Sequence, residues 1–328
     1  MKAVVVFHGD CDGVIAAGLY IRHFLMDYYP VNVKLKFTQP WRIIHDLEST
    51  LKQLKTDEYS ELVILDLAIS DELAKFIKDL ASKSHVRITV IDHHISSADM
   101  VQQFDNYYNI RIYWDAVQST PQVLTKIIKN LNNYEEFLVE VANVCEGGEA
   151  KDQIIQQVAD KIKLVLALDP TDSIMFYQTV KGVVEGTEFW YSEDFEKKFW
   201  RAKWLLNMLI KTIERKASEV CGWSVAAFTM AESLIYAGLF GIAASEYVKK
   251  HHKPLALVRS EGKKVVITIR SAEGQALELC RAVANSVPNT FYGGHREAAS
   301  ITIYGEHDLN VIVETIFQAI RTFRGCTV

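Results

Sequence analysis

The stretch VVVFHGDCDGVIAAGLY, residues Val4–Tyr20, decides the fold of this chain. Three valines lead into His8, Asp10 and Asp12, and a glycine then opens an apolar run. The pattern predicts a buried strand that is followed at once by a helix. Two carboxylates and an imidazole at the end of a buried strand cost free energy unless positive charge neutralises them. The segment therefore predicts a cation near the end of the first strand.

Two more apolar, β-branched runs, Glu61–Leu67 and Val86–Ile91, join Lys2–Phe7 as predicted strands. Their nearly continuous apolar composition is typical of strands that are buried on both faces. Helical patterns at Gly13–Met26 and Asp71–Ser82 alternate with them. This alternation predicts an α/β fold with a parallel sheet and helices on both faces. Further along the same domain, Glu140–Gln153 is expected to be a polar connection between helices.

The second half of the sequence predicts a separate, smaller α/β domain. Residues Ser192–Glu219 contain no proline or glycine and have a helical pattern, which predicts one long helix between a first domain at 1–191 and a second at 221–328, with the linker at 192–220. The aromatic residues in FEKKFWRAKWLL predict packing along this helix or a homodimer contact. Strands are predicted in WSVAAFTM, KPLALVRS, KKVVITIR and ASITIYG, and helices at Gly241–Lys250, Gln275–Val283 and Leu309–Phe323.

Composition narrows the class of protein. The chain has 328 residues and a net charge of −5, so it lacks the broad basic footprint of a protein that grips long duplex DNA. Its N-terminus reads as a first strand instead of a signal peptide, and no apolar run is long enough to span a bilayer. The five cysteines are an odd number without a C-x-x-C pair, which predicts reduced thiols and a cytoplasmic location.

Acidic or imidazole residues end each of the three clear strands. Because the carboxyl ends of parallel strands line one edge of the sheet, the side chains of His8, Asp10 and Asp12 are expected to meet Asp66 and the Asp92–His94 triplet. Helix capping explains one such aspartate, but not about four carboxylates and up to three imidazoles, which repel one another unless cations sit among them. Asp and His ligands without cysteine suit two Mn²⁺ ions, with Mg²⁺, Co²⁺ or Fe²⁺ as substitutes. Such a pair predicts hydrolysis of a phosphoester or phosphoanhydride.

The same residues resemble a known family. HGDCDG, the strand-end Asp66 and the triplet DHH at 92–94 are similar in order to the DHH phosphoesterase family. In the second half, ITIRS at Ile267–Ser271 and YGGHREAAS at Tyr292–Ser300 resemble the DHH-associated C-terminal domain, whose signature is G-G-G-H-x-x-A-A-G. The resemblance runs from residue 8 to residue 300, and it implies the DHH domain, the linker helix and a substrate-binding second domain.

Carried over by position, the resemblance implies a metal-ligand set in which Asp66 is the bridge. It implies that Asp92 orients the histidines and that His94 faces the substrate phosphate as an acid or charge stabiliser. A last ligand should follow a later apolar strand; LVLALDPTDS offers Asp169 and Asp172, and Asp169 is preferred because it ends the apolar run. The implied metal ligands are His8, Asp10, Asp12, Asp66, His93 and Asp169.

Two further segments are implicated by the resemblance. Asp115 and Ser119 are similar to a near-site segment of exopolyphosphatase-related members, although a strand end and a helix N-cap explain them equally well. The second domain is implied to bind substrate phosphate, with backbone approach at its glycines and charge-assisted hydrogen bonds from its basic side chains. The implied substrate-binding residues are Arg270, Ser271, Gly293, Gly294, His295 and Arg296. Tyr292 and Ser300 replace the first and last glycines of the signature.

Three functions remain open at the level of sequence. The first is a Mn²⁺-dependent phosphodiesterase that acts on oligonucleotides, cyclic dinucleotides or bisphosphorylated adenosine, which the type of second domain favours. The second is an exopolyphosphatase or pyrophosphatase, whose pyrophosphate-directed relatives carry a different second domain. The third is a catalytically silent nucleotide sensor, which would be expected to have lost metal ligands.

Overall fold

The computed structural model describes residues 2–53 and 59–326. The chain divides into two compact units. The first contains Met1–Leu166 and Pro170–Phe199, and the second contains Ala167–Asp169 and Trp200–Val328. The predicted α/β class is confirmed, because each unit is built on its own sheet with helices packed against it.

The first unit has a five-stranded parallel sheet in the order β2-β1-β3-β4-β5. Its three central strands are the predicted ones, and β1 and β3 are almost entirely buried. The two edge strands were not predicted, because their apolar residues alternate with charged or polar ones. The strands are β1 (Ala3–His8), β2 (Val33–Thr38), β3 (Glu61–Leu65), β4 (Arg87–Asp92) and β5 (Ile110–Trp114).

Helices cover both faces of this sheet, as predicted. Val5 and Phe7 of β1 point into the core on one face, and Val4 and Val6 point into the core on the other. The helices are α1 (Cys11–Tyr20), α2 (Ile43–Gln53), α3 (Asp71–Lys83), α4 (Ala98–Val101), α5 (Thr120–Leu124), α6 (Asn133–Cys145), α7 (Gln153–Leu168), α8 (Ser173–Glu185) and α9 (Glu193–Lys216). One π-helical turn at Ile21–Leu25 extends α1.

Two sequence predictions in this unit need correction. The polar connection between helices that was expected at Glu140–Gln153 is present only at 146–152, because the residues up to Cys145 form the end of α6. The run before Asp169 was expected to be a strand, but Leu164–Leu168 forms the last turns of α7. This short apolar run is compatible with a helix or a strand, and the surrounding helical packing decides.

The second unit has a six-stranded mixed sheet in the order β10-β11-β9-β8-β7-β6. Only the β7–β8 pair is parallel among these neighbours. Its strands are β6 (Ser218–Val220), β7 (Trp223–Phe228), β8 (Leu255–Ser260), β9 (Lys264–Arg270), β10 (Thr290–Gly294) and β11 (Ala298–Tyr304). Its helices are α10 (Met230–Tyr236), α11 (Phe240–His251), α12 (Ala276–Ala284) and α13 (Leu309–Arg324).

The long predicted helix is present as α9, and the boundary between the two units falls inside it, after Phe199. Phe195 is buried in the core of the first unit, whereas Trp200 and Trp204 are about 60% and 62% exposed. The aromatic pattern therefore serves packing only in part, and the homodimer contact stays a prediction.

The cysteines correct the expectation of reduced thiols. Cys11 pairs with Cys145, and Cys221 pairs with Cys326, while Cys280 is free and buried. The Cα atoms of the pairs lie 6.2 and 6.3 Å apart, within the range that a disulfide spans. Sequence spacing could not reveal these pairs, because 134 and 105 residues separate their members. Among the described helices, none is both long and apolar enough to cross a membrane.

Candidate metal centre

The first part of the site is the turn between β1 and α1. Asp10 is the N-cap of α1, and its Oδ1 accepts a hydrogen bond from the backbone N–H of Gly13 at 2.9 Å. A Cβ at Gly13 would lie 2.2 Å from the carbonyl oxygen of His8, so only glycine permits this close turn. The turn brings His8 Nδ1 to 2.9 Å from Asp10 Oδ2, and His8 Nε2 lies 3.2 Å from Gln39 Oε1.

The second part is Asp66, the first residue after β3. It has a left-handed backbone with φ of 59°, a conformation that aspartate tolerates better than most residues, and it is 2% exposed. Its Oδ2 lies 3.4 Å from His8 Nδ1, and its Oδ1 lies 3.5 Å from His93 Nε2. Asp66 therefore lies between the ends of β1 and β4, as the sequence predicted.

The third part is the Asp92–His94 triplet at the end of β4. His93 Nδ1 donates to the carbonyl oxygen of Val117 at 3.2 Å, which directs Nε2 toward Asp12 Oδ2 at 3.5 Å. Asp92 is fully buried; one carboxylate oxygen accepts from His94 Nδ1 at 2.7 Å, and the other accepts from the hydroxyl of Ser97. The hydrogen bond between Asp92 and His94 is the contact that the predicted orienting role of Asp92 requires.

The structure thus brings seven predicted residues together at one edge of the first sheet. The cluster contains two groups of three candidate ligand residues, and Asp66 belongs to both. Within each group, the candidate ligand atoms lie within 4.8 Å of one another. One contains His8 and Asp10, and the other contains His93 and His94. The residues of this strand-end cluster are His8, Asp10, Asp12, Asp66, Asp92, His93 and His94.

Burial and the charges inside the strand-end cluster shift the pKa values of several of its residues. Burial raises the pKa of Asp12, and the carboxylates of Asp66, Glu146 and Asp10 raise it further. Burial lowers the pKa of His8, but the charges and hydrogen bonds of Asp10 and Asp66 together outweigh it, so the pKa lies well above its usual value. Burial lowers the pKa of His94, but the hydrogen bond to Asp92 and the charges of Asp92 and Asp66 together outweigh it and raise the pKa to about 9.

Two buried atoms of the cluster test whether a metal fits. Asp12 Oδ1 and His93 Nε2 have no hydrogen-bond partner, although buried polar atoms are normally satisfied. Both are lone-pair atoms that can ligate a cation, and the surrounding donors are carboxylate oxygens and imidazole nitrogens. The residues present therefore fit a divalent metal site of the Asp/His type.

Glu146 is an acidic residue of this region that the sequence analysis missed. It follows directly on α6, and more than a third of its surface is exposed. Burial of its carboxyl group and the charges of Asp10 and Asp66 raise its pKa to about 7. Cys145, the residue before Glu146, forms a disulfide with Cys11, which lies between Asp10 and Asp12 in the sequence. This covalent link places Glu146 near the cluster.

Asp169, the last predicted metal ligand, does not belong to the strand-end cluster. Asp169 follows α7 and groups with the second unit, and it is absent from the groups of candidate ligand atoms within the described residues. Its alternative, Asp172, is the N-cap of α8 and binds Lys198 Nζ at 2.6 Å. Asp172 therefore has a structural role, and the metal-ligand role of Asp169 stays a prediction.

The segment from Asp115 to Thr120 lies beside the cluster. Asp115 forms an ion pair with Lys126, and Ser119 is the buried N-cap of α5, as the structural interpretation of the sequence expected. The contact with the cluster comes from the next residue, Thr120. Its backbone N–H donates a hydrogen bond to Asp12, and its hydroxyl donates one to Asp66. The sequence carried no signal for Thr120, because it is an uncharged residue at an ordinary helix start.

The predicted substrate-binding residues lie on or beside the β10–β11 hairpin. Gly293, Gly294, His295 and Arg296 are exposed. Gly294 has φ of +129°, and a Cβ there would lie 2.4 Å from the carbonyl oxygen of Ala298, whereas a Cβ at Gly293 would meet nothing within 4 Å.

Two residues that precede the hairpin along the chain complete the predicted set. Arg270 at the end of β9 is partly exposed; its Nε donates to Ser245 Oγ at 3.2 Å, and burial lowers its pKa. Ser271 is 1% exposed, and its hydroxyl oxygen accepts from the N–H of Gln275 at 3.4 Å. Direct contact of Ser271 with substrate stays a prediction that this enclosed position does not favour.

Comparison with solved structures supports the fold. The exonuclease RecJ bound to manganese has a TM-score of 0.60 at 16% identity, covering 98% of this chain and 90% of RecJ. PggH, a pGpG-specific phosphodiesterase from Vibrio, has a TM-score of 0.61 at 12% identity, with 98% and 99% covered. CDC45 from Entamoeba histolytica has a TM-score of 0.62 at 10% identity, with 97% and 95% covered. At these identities the likeness shows the fold.

Sequence comparison identifies the family. No curated protein gives a significant match. The family model for the N-terminal domain of the DHH family matches residues 2–160, and the model for the DHHA1 domain matches residues 225–322. The two matches cover most of the chain in the order that the sequence motifs suggested. The chain therefore belongs to the DHH family, with its N-terminal domain followed by a DHHA1 domain.

Proposed function

We propose that this chain is a divalent-metal-dependent phosphohydrolase that cleaves phosphodiester bonds in short substrates. The observation that carries the proposal is the strand-end cluster, in which Asp12 Oδ1 and His93 Nε2 are buried without partners among other acids and imidazoles. Such an arrangement is unfavourable by itself and becomes favourable when cations bind. The family membership supports the same interpretation.

The residues that would hold two Mn²⁺ ions are His8, Asp10, Asp12, Asp66 and His93, and Asp66 belongs to both groups of candidate ligand atoms. Glu146 would add a further acid near them. Mg²⁺ and Co²⁺ are the expected substitutes. When bound, such ions supply Lewis-acid stabilisation of charge at phosphorus and lower the pKa of a water nucleophile. His8 and His93 are held by hydrogen bonds to the side-chain oxygen of Gln39 and the carbonyl oxygen of Val117, and Asp66 is held by the hydroxyl of Thr120. Such outer contacts tune metal sites.

His94 is proposed to hold the proton that the leaving oxygen needs. Its Nδ1 hydrogen bonds to Asp92, so Nε2 is the free position, and the side chain is 40% exposed. With its pKa raised to about 9, the imidazole is protonated at neutral pH. It can then donate that proton to the alkoxide that departs from phosphorus, or stabilise the charge on a phosphate oxygen.

Substrate binding is assigned to the second unit. The exposed backbone at Gly293 and Gly294 and the side chains of His295, Arg296 and Arg270 are suited to phosphate oxygens. The RecJ exonuclease and the pGpG-specific phosphodiesterase, which share the fold, both act on phosphodiesters. Short nucleic acids or linear dinucleotides are therefore the proposed substrates, in preference to polyphosphate.

A substrate panel tests this proposal. Purified protein with Mn²⁺ should hydrolyse bis-p-nitrophenyl phosphate, and it should hydrolyse at least one of short RNA, short DNA, linear dinucleotides or cyclic dinucleotides. Turnover of bisphosphorylated adenosine alone would indicate a phosphomonoesterase instead. Turnover of polyphosphate or pyrophosphate alone would replace the proposal by the phosphoanhydride function. Binding of these compounds without turnover under Mn²⁺, Mg²⁺ or Co²⁺ would indicate a silent sensor.

A further inference from the structure

Thr120, the first residue of α5, joins two acids of the strand-end cluster. It is completely buried. Its backbone N–H donates to Asp12 Oδ2 at 3.0 Å, and its hydroxyl donates to Asp66 Oδ1 at 3.0 Å. One residue thus binds one oxygen of each of two carboxylates, one in the first turn of α1 and one directly after β3.

These two hydrogen bonds select which carboxylate oxygens stay available. With Asp12 Oδ2 occupied by the Thr120 N–H, Asp12 Oδ1 is the oxygen that has no partner. With Asp66 Oδ1 occupied by the hydroxyl, Asp66 Oδ2 is directed toward His8 Nδ1 at 3.4 Å. A carboxylate that has one oxygen fixed by a donor cannot rotate freely about its last bond, so the orientation of the other oxygen is also fixed.

Thr120 is itself held firmly. Ser119 is also fully buried, and its hydroxyl donates to Asn143 Oδ1 of α6 at 2.6 Å. The same oxygen accepts from the backbone N–H of Gln122 at 3.3 Å, which caps α5. The first turn of α5 is therefore anchored to α6, and it forms a rigid support for the hydroxyl of Thr120.

We propose that Thr120 is a positioning residue that sets the orientation of Asp66, and with it the affinity for metal. The proposal rests on the metal site of the proposed function. The backbone bond to Asp12 does not depend on a side chain and is available to valine or serine at this position, but the bond to Asp66 depends on the side-chain hydroxyl. Losing a hydrogen bond that orients a metal ligand typically lowers metal affinity by about 10- to 100-fold.

The test compares three variants by Mn²⁺ binding alone. Thr120→Val keeps the shape of the side chain but removes the donor, and Thr120→Ser keeps the donor. Thr179→Val is the matched control, because Thr179 is buried in α8 and its hydroxyl donates only to its own helix, at Met175, at 2.8 Å. Free Mn²⁺ is measured by its electron paramagnetic resonance signal during titration of the full chain.

The expected result is an affinity about 10- to 100-fold lower for Thr120→Val, with Thr120→Ser and Thr179→Val close to the parent protein. Unchanged affinity in Thr120→Val would overturn the proposal, and so would an equal loss in Thr179→Val. A loss in Thr120→Ser as large as that in Thr120→Val would also overturn it, since shape would then matter and the donor would not.

The failure of this proposal can be told apart from failure of the proposed function. If the parent protein binds Mn²⁺ but cleaves none of the phosphodiesters, the function is wrong, and the order of Mn²⁺ affinities among the variants still decides the role of Thr120. If phosphodiesters are cleaved and Thr120→Val binds Mn²⁺ normally, the function stands and the role of Thr120 is wrong.

Discussion

The strand-end cluster and the β10–β11 hairpin differ in how far the chain's own contacts explain their residues. In the cluster, acids and imidazoles are buried, and two of their atoms have no partner. In the hairpin, the residues are exposed. The backbone conformation of Gly294 explains why this residue is a glycine, whereas a Cβ at Gly293 would meet nothing, so no contact within the chain explains that glycine. A residue whose identity is accounted for by contacts within the chain requires no ligand. The atoms that lack such contacts are therefore the ones that indicate a ligand site.

The largest expected effect is the loss of Asp66. Asp66→Asn should lower turnover of bis-p-nitrophenyl phosphate with Mn²⁺ by at least about 1000-fold, because metal ions contribute several kcal/mol of transition-state stabilisation and each 1.36 kcal/mol is tenfold in rate. Asparagine tolerates the left-handed backbone at this position, so the fold should persist. Initial rates and circular dichroism measure both outcomes.

Asp46→Asn provides the control for this change. Asp46 is also a buried carboxylate of the first unit, but it accepts hydrogen bonds from Thr38 Oγ1 at 2.7 Å and Arg42 at 3.2 Å, so its own chain explains it. Its substitution should reduce stability and leave turnover near the parent value. Activity that survives in Asp66→Asn would remove the bridge from the mechanism.

The next effect compares the acid that the structure adds with the acid that the sequence favoured. Glu146→Gln should weaken Mn²⁺ binding by about 10-fold, because it removes a negative charge that couples to Asp10 and Asp66. Asp169→Asn tests the ligand position that the sequence predicted: a metal ligand there predicts a loss of Mn²⁺ affinity at least as large as that of Glu146→Gln. Isothermal titration calorimetry with MnCl₂ measures both variants, and an unchanged affinity in Asp169→Asn would remove Asp169 from the ligand set.

This pair of residues also shows what the sequence could and could not predict. The ends of β1, β3 and β4 were predictable, because buried parallel strands are continuous apolar runs and their carboxyl ends meet. Glu146 was missed because it follows a helix, α6, whose end looked like a polar connection. Asp169 was favoured because the end of α7 looked like a strand.

Contacts between distant segments were beyond prediction for a different reason. The bond of Thr120 to Asp12 spans 108 residues, and the Cys11–Cys145 pair spans 134. In the local sequence, Thr120 is no different from any residue at the start of a helix, and Cys145 is no different from any buried cysteine. Only the packing of α5 and α6 against α1 brings them to the cluster.

In the hairpin, the two glycines separate a structural role from a ligand role. Gly294→Ala should lower the free energy of unfolding by about 2 kcal/mol, because φ of +129° is costly for a residue with a Cβ and the added atom meets Ala298 and Ala299. Gly293→Ala should change that free energy by less than about 0.5 kcal/mol. Urea unfolding gives both values.

Kinetics then sharpen the contrast between the same two variants. If phosphate approaches the backbone at Gly293, Gly293→Ala should raise KM for the phosphodiester with kcat nearly unchanged, since only binding is obstructed. An unchanged KM in this stable variant would mean that the empty space beside Gly293 is not used by substrate, and the hairpin would lose its assigned role.

The smallest effect concerns Asp172, an acid that its own chain explains fully. Burial would raise its pKa, but the hydrogen bonds from Lys198 and the N–H of Met175 lower the pKa below its usual 3.8. A lowered pKa stabilises the fold at any pH above the unfolded value, and this stabilisation is lost as pH falls through the folded value. Asp172→Asn keeps the cap and removes the charge, so it should cost about 0.5–1 kcal/mol at pH 7 and progressively less as pH falls through the lowered pKa of the folded state. Urea unfolding of both proteins from pH 7 to pH 2.5 measures the difference, and a constant difference across that range would show that the charge of Asp172 does not stabilise the fold.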